Sequence, residues 1–246
     1  MQQQTLNARA RFVGSVLDSL LGENGVLAFV AGYVDTLGFV ALYGLFTAHV
    51  TGNFILIGSG LAGAGNGLSI KLLAFPAFVS GIVVARLLDD KLRTRPESTR
   101  AVGLYILQIA FLVAFMVAGI VAAPITNSNA PLTIVCGLLG AAGMGVQNAH
   151  ARLATRSVAA NTVMTGNVTQ AVIDAFDLLA PGTAHVDRGE ARTRLVRTLP
   201  PVLAFALGAG GGALGWLVGA FWALIVPLVL LGVLACGAFR IGRESA

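Results

Sequence analysis

Gly32-Tyr33-Val34-Asp35, followed by His49-Val50-Thr51-Gly52-Asn53, is the stretch on which the reading of this chain turns. It returns in altered form as Gly145-Val146-Gln147-Asn148 followed by Met164-Thr165-Gly166-Asn167. Gly32 and Thr51 are 19 positions apart and Gly145 and Thr165 are 20 apart, so one inserted residue brings the copies into register. Short words of Gly and Asn recur by chance, but two words at matched spacing rarely do, and an internal repeat is a statement about architecture. In a membrane protein, Gly-interrupted segments at corresponding places in two halves point to a binding site between them.

The composition places the chain in a membrane. It has 246 residues, of which 56% are hydrophobic and 11% charged, with a mean hydropathy of +0.83. Soluble domains carry roughly 25% charged residues. The 31 glycines suit helices that approach closely in lipid. A pI near 9.9 would suit nucleic acid, but the bases sit between apolar runs, where orientation in a bilayer accounts for them. The expected partner is therefore the lipid bilayer, not nucleic acid. Cys136 and Cys236 lie in apolar runs without a CxxC partner or a nearby His, and read as packing residues. No metal or cofactor is expected.

Residues 1–24 show no evident signal-peptide cleavage site and read as a cytoplasmic tail. Their pattern of Phe12, Val13, Val16, Leu17 and Leu20 leaves two readings, a surface helix or a frayed tail. Six apolar runs are long enough to span, since a helix needs about 20 residues: Val26 to Phe46, Ile70 to Leu88, Ala101 to Ala123, Leu132 to Ala151, Val202 to Val218 and Phe221 to Phe239. Two weaker segments, Phe54 to Ala64 and Asn161 to Ala180, each follow the first span of a repeat. Basic loops prefer the cytoplasm. If both weak segments dip in and return, the tail, the 89–100 loop (Lys91, Arg93, Arg95, Arg100), the 181–197 loop and the C-terminus with Arg240 and Arg243 all face inward. Lys71 alone is left on the wrong side. Each repeat then holds three spans, an odd number, so the repeats run in opposite directions.

The expected fold is an all-α integral membrane protein: six transmembrane helices plus two short re-entrant segments, arranged as two inverted 3+3 repeats. Its parts are the tail 1–24, a first repeat 25–123 and a second repeat 131–240. It is expected to cross the membrane several times, with both termini cytoplasmic. Non-helical backbone at membrane depth is tolerated only where it is buried in protein or lines a wet cavity.

The candidate substrate-binding residues follow from the repeat: Asp35, His49, Thr51, Gly52 and Asn53 in the first half, and Gln147, Asn148, Thr165, Gly166 and Asn167 in the second. Thr and Asn are good helix N-caps and Gly permits unusual backbone angles. Two half-helix N-termini meeting near the midplane would present free N–H groups and positive dipole ends to an anionic or carbonyl-bearing ligand. Asp35 stands near the centre of its span, where a carboxylate costs about 2.5–3.5 kcal/mol on insertion scales and usually faces a cavity or a partner. It suits proton coupling or cation pairing. Its counterpart Asn148 cannot titrate. His49 could gate or relay protons, and Gln147, Asn148 and His150 form a polar patch at the matching place. The copies agree in sequence but not in depth, because Asn148 lies nearer the end of its span. A later start for that span would carry Arg152 and Arg156 into the membrane as anion ligands, and the sequence leaves both placements open.

Gly208-Ala209-Gly210-Gly211-Gly212-Ala213-Leu214-Gly215 holds two overlapping GxxxG patterns, Gly208/Gly212 and Gly211/Gly215, spaced for close helix contact within the chain or between copies in a homo-oligomer. Asp174 and Asp177 share a helix face and read as solvated, with cation coordination the other reading. There is no GxSxG, HExxH, P-loop or cysteine cluster, so an enzyme is not expected.

At the quoted words, from Gly32 to Asn53 and from Gly145-Val146-Gln147-Asn148-Ala149 to Asn167, the chain resembles the YoaK family of bacterial membrane proteins, also called DUF1275. The likeness covers about residues 25–240. It implies a multi-spanning inner-membrane protein and carries over no substrate, cofactor or catalytic residue. The leading expectation is a secondary transporter for a small polar or anionic solute, proton-coupled through Asp35. The rivals are a non-transporting scaffold or sensor subunit, and a passive channel.

Overall fold

The computed structural model describes residues 2–154, 161–180 and 187–244, and among these every regular element is helical. They are α1 (Gln2–Leu21), α2 (Glu23–Ala41), α3 (Gly52–Leu61), α4 (Leu68–Lys91), α5 (Glu97–Ala122), α6 (Pro131–Leu153), α7 (Thr165–Leu179), α8 (Arg188–Gly219) and α9 (Ile225–Glu244), with a 3-10 turn at Ala220–Leu224 between the last two. The N-terminal segment is thus a helix, the first of its two readings. The boundaries follow local chemistry. Glu23 sits in the first turn of α2, where the helix dipole favours an acid. Tyr43 (φ 55°) and Gly44 (φ 76°) turn left-handed just after α2, which therefore ends at Ala41, short of the expected Phe46. Pro131 opens α6 at a position that needs no N–H donor. The Asp187 side chain accepts from the N–H groups of Gly189 (2.8 Å) and Glu190 (3.3 Å), and starts α8 fourteen residues before the expected Val202.

Among the described residues, five stretches are long and apolar enough to cross a membrane: Glu23–Ala41, Leu68–Lys91, Glu97–Ala122, Pro131–Leu153 and Arg188–Arg240. The last runs through 53 residues. As one straight helix it would be about 80 Å long, against a hydrocarbon core of about 30 Å. Ala220, at φ 44°, breaks it, and α8 and α9 are separate helices.

The two most extensive helix contacts are α2 with α8 and α4 with α6. They are built alike. A Cβ on Gly32 would strike the Phe205 carbonyl, and one on Gly208 would strike the Phe29 carbonyl. In the other pair, a Cβ on Gly145 would strike the Phe78 carbonyl, and one on Gly81 the Ala142 carbonyl. Gly32 and Gly145 are the matched glycines of the repeat, and Phe29 and Ala142 each lie three residues before them. Phe205 and Phe78 each lie three residues before Gly208 and Gly81. The same reciprocal glycine crossing therefore occurs twice, each time between the first helix of one half and the third of the other. Small residues allow this closeness, and van der Waals packing then holds the helices.

The helix ends sort into two groups. At one end, the Tyr105 hydroxyl near the start of α5 donates to Glu23 at the start of α2. His150 near the end of α6 lies 3.7 Å from the same carboxylate. Ser98 sits against Gly242 of α9, and Arg192 of α8 lies over the Phe12 ring of α1. This end carries Arg86, Arg100 and Arg194, paired with Asp89 or Asp174, and is basic. At the other end, Lys71 donates to the carbonyls of Tyr43 (2.7 Å) and Asn66, and Gly67 packs beside Ser128. So α4 starts where α2 finished. Lys71, the base on the wrong side of the expected topology, is 4% exposed and caps one loop carbonyl after α2, at Tyr43, and one before α4, at Asn66.

Candidate functional site

The first copy of the repeat forms a knotted turn. Asp35 projects from α2, and its Oδ1 accepts from the backbone N–H groups of Thr47 (2.7 Å), Ala48 (2.7 Å) and His49 (3.4 Å), and from the Thr47 hydroxyl (3.3 Å). Asp35 is 4% exposed. Charge-assisted bonds from several backbone donors are what a buried carboxylate requires. Asn53 ties the other side, accepting from Phe46 N–H (3.0 Å) and donating to Phe46 C=O (2.8 Å). Val50 and Leu45 are buried in the main core, so the loop from 42 to 51 runs through the interior. The His49 ring lies between Phe46 (6.2 Å) and Phe205 (6.3 Å), centroid to centroid.

The second copy repeats the device with neutral groups. Asn148 of α6 donates to the Thr162 hydroxyl at 2.8 Å, as Asp35 reaches back to Thr47 and Ala48. Asn167 is buried and donates to Met164 Sδ at 3.6 Å. Met164 packs with Ala28 and Ala204, beside Phe205, and both turns therefore reach the same face of α8.

Several expectations are corrected. Neither Thr-Gly-Asn word caps its helix through a side chain: the N-cap of α3 is Thr51 with helical dihedrals and no cap bond, and that of α7 is Met164. Thr51, Thr165 and Gly166 are exposed, while Asn53 and Asn167 are buried. Asx and Thr groups readily bond neighbouring backbone in non-helical conformations, and the interior loop offers better partners than the helix start. The helices α3 and α7 do not meet among the described residues; α3 packs on α4 and α7 on α8. The two N-termini therefore make no direct contact with each other. The mismatch in depth is real, because α6 begins at Pro131 and its last turn carries His150 and Arg152. Arg152 is exposed there, and Arg156 lies outside the described residues. Asp174 is not solvated: it is buried and bound by Arg194 of α8 at 2.9 Å. Gly208 and Gly212 are packed on α2 of the same chain, and Gly211 and Gly215 on the Tyr33 side chain, so the stripe makes an internal contact. Its small residues admit the bulk of Phe29 and Tyr33.

Sequence reasoning missed a third feature. Gln147 donates to the Leu27 carbonyl (2.8 Å) and accepts from Gln108 of α5 (2.7 Å), bridging α2, α5 and α6. One turn further towards the basic end, the His150 and Tyr105 rings meet edge to face at 4.4 Å, under Glu23. The signal was present as Tyr105 and Gln108, two polar groups three apart in an apolar span, where polar residues rarely go unused. Also missed was Ala77-Phe78 with Gly81 against Ala204-Phe205 with Gly208, the second word of the repeat. Among the described residues no group of His, Cys, Asp and Glu is arranged to hold a metal ion. A cavity of about 260 Å³ lies outside both turns, lined by Leu20, Gly25, Val26, Phe29, Ala204 and Leu207, all without a polar side chain.

Helices of this length and apolarity, with Gly-mediated crossings and buried polar turns, define an all-α, multi-spanning membrane protein. The chain belongs to the DUF1275 family, described as proteins of unknown function, which it matches over residues 25–237. It is also similar to the UPF0700 transmembrane protein YoaK of Bacillus subtilis (strain 168), 27% identical over 160 residues. That match covers 61% of this chain and 64% of the relative, a little less than two thirds of its length. No solved structure matches the chain.

Proposed function

We propose that this protein is a secondary transporter for a small polar or anionic solute, built as six membrane crossings in two inverted 3+3 repeats, with α3 and α7 re-entrant. The carrying observation is the doubled crossing, α2 on α8 and α4 on α6, each half interrupted by a turn tied to a polar residue inside the first helix. Alternating access in repeat transporters is largely the rocking of one such unit against the other. The direction of the helices supports the inversion: α2, α5 and α8 start at the basic end, and α4, α6 and α9 finish there. The excess of Arg and Lys at that end supports an inner-membrane protein with both termini cytoplasmic. The ligand-facing groups in this reading are His49, Thr51 and Gly52 at the first turn and Thr165 and Gly166 at the second, with Asp35, Asn53, Asn148 and Asn167 holding the turns.

The test is flux into liposomes containing the purified protein, using small carboxylates, phosphate and neutral polyols as probes. Asp35→Asn and Gly52→Leu, both still inserted, are expected to reduce flux at least about tenfold, the loss of about 1.4 kcal/mol of transition-state stabilisation. A Cβ on Gly52 would press on the Phe46 ring at 3.0 Å, whereas Gly166 has nothing within 4 Å, so Gly166→Leu is the milder partner. Flux that ignores a pH gradient would make the protein a passive channel. No flux for any probe removes the transport reading.

A further inference from the structure

The cluster of Glu23, Tyr105 and His150 takes no part in either turn. His150 is fully buried, with side-chain exposure of 0%, and neither of its ring nitrogens has a hydrogen-bond partner. Two polar nitrogens without partners in a protein interior are costly. Such a group is expected to have a use. Nε2 lies 3.7 Å from Glu23 Oε1, outside hydrogen-bond range but within one small shift of it. Glu23 is 42% exposed at the mouth of the bundle and also accepts from the Tyr105 hydroxyl. A path thus runs from solvent to a surface carboxylate, and from that carboxylate to a buried imidazole.

We infer that Glu23, Tyr105 and His150 form a proton-binding site at the basic end of the bundle. A proton from water reaches Glu23 and passes to Nε2 of His150. The imidazolium then donates to the carboxylate, which keeps its negative charge, so the pair carries no net charge. Three elements converge here, and each supplies one titratable group: Glu23 from α2, Tyr105 from α5 and His150 from α6. The other charged groups nearby at this end are engaged elsewhere, Asp89 with Arg100 (2.6 Å) and Arg86 (3.5 Å), while Arg152 is exposed. One turn below, Gln147 and Gln108 tie the same helices together, and the Gln108 Oε1 has no partner. Drawing His150 towards Glu23 pulls α6 against α2 next to that bridge. That the proton drives solute movement rests on the transport reading; the site itself does not.

The chain has three histidines: His49, His150 and His185. In the full chain carrying His49→Gln and His185→Gln, in nanodiscs, the ring nitrogen resonances of His150 alone report its protonation. We expect a single one-proton titration of its ring. Glu23→Gln, which keeps an acceptor for Tyr105, should lower the midpoint by about one pH unit. Tyr105→Phe, which frees the carboxylate to face His150, should raise it. A His150 that takes up no proton over the whole pH range in which the protein stays folded, or a midpoint unmoved by Glu23→Gln, overturns the proposal. Absence of flux alongside a Glu23-dependent titration would sink only the transport reading, and flux without the titration would sink only this one.

Discussion

Asp35 and Asn148 occupy equivalent places and do related work with different chemistry. A carboxylate oxygen gathers three backbone N–H groups in one half; an amide donates to a threonine hydroxyl in the other. The second half shows that an amide can hold such a turn. Asp35→Asn should therefore fold, accepting from Thr47 and Ala48 through Oδ1, whereas Asp35→Leu leaves those N–H groups buried without a partner. The expected loss for Asp35→Leu is about 2–4 kcal/mol more than for Asp35→Asn, measured as thermal stability in detergent. Equal losses would mean that the ties at Asp35 contribute little. The residue-type signal was legible here, since an acid inside an apolar span has to be accounted for. Its partners were not, because they lie on a loop whose path depends on the left-handed Tyr43 and Gly44.

At the scale of elements, the glycine crossings carry the argument. A side chain on Gly145 meets the Phe78 backbone carbonyl, which cannot swing aside as a flexible side chain can. Gly145→Leu and Gly32→Leu should each force their helix pairs apart, with a loss of about 3 kcal/mol or more, while Gly210→Leu, with open space around it, should cost little. Protease resistance of the folded protein after heating reads the difference. If the two crossings are equivalent, the Gly32 and Gly145 variants should suffer alike, and a large disparity would count against the repeat as a structural unit. The sequence showed the matched glycines but not what they touch. Periodicity marks a face as crowded; it does not name the helix that crowds it.

For the whole molecule, the inverted reading can be checked from outside. In a background with Cys136 and the exposed Cys236 replaced, single cysteines at Ala64 and Thr94 lie on exposed positions at opposite ends of α4. In intact cells an impermeant maleimide should label Ala64→Cys, and should label Thr94→Cys only after permeabilisation. Thr94→Cys labelled with Ala64→Cys protected would place the basic end outside and overturn the cytoplasmic termini, and both labelled in intact cells would mean that α4 does not cross. The structure also bears on the nature of any solute site. The apolar cavity by α1 and α8 has no polar side chain in its lining, so that cavity does not suit a polar solute.

The sequence by itself determined the class of protein, the number of apolar runs, the two-copy repeat and the identity of the polar residues inside it. Composition and spacing are local properties, and hydrophobic length maps directly onto membrane crossing. Only the tertiary structure decided that α3 and α7 stay apart, that Asp174 pairs with Arg194, that Lys71 caps loop carbonyls and that Glu23, Tyr105 and His150 come together at one end of the bundle. These are contacts between residues far apart in the chain, and their partners are chosen by which helices pack together. In this protein that choice rests on four glycines, Gly32, Gly81, Gly145 and Gly208, whose missing side chains let one backbone lie against another.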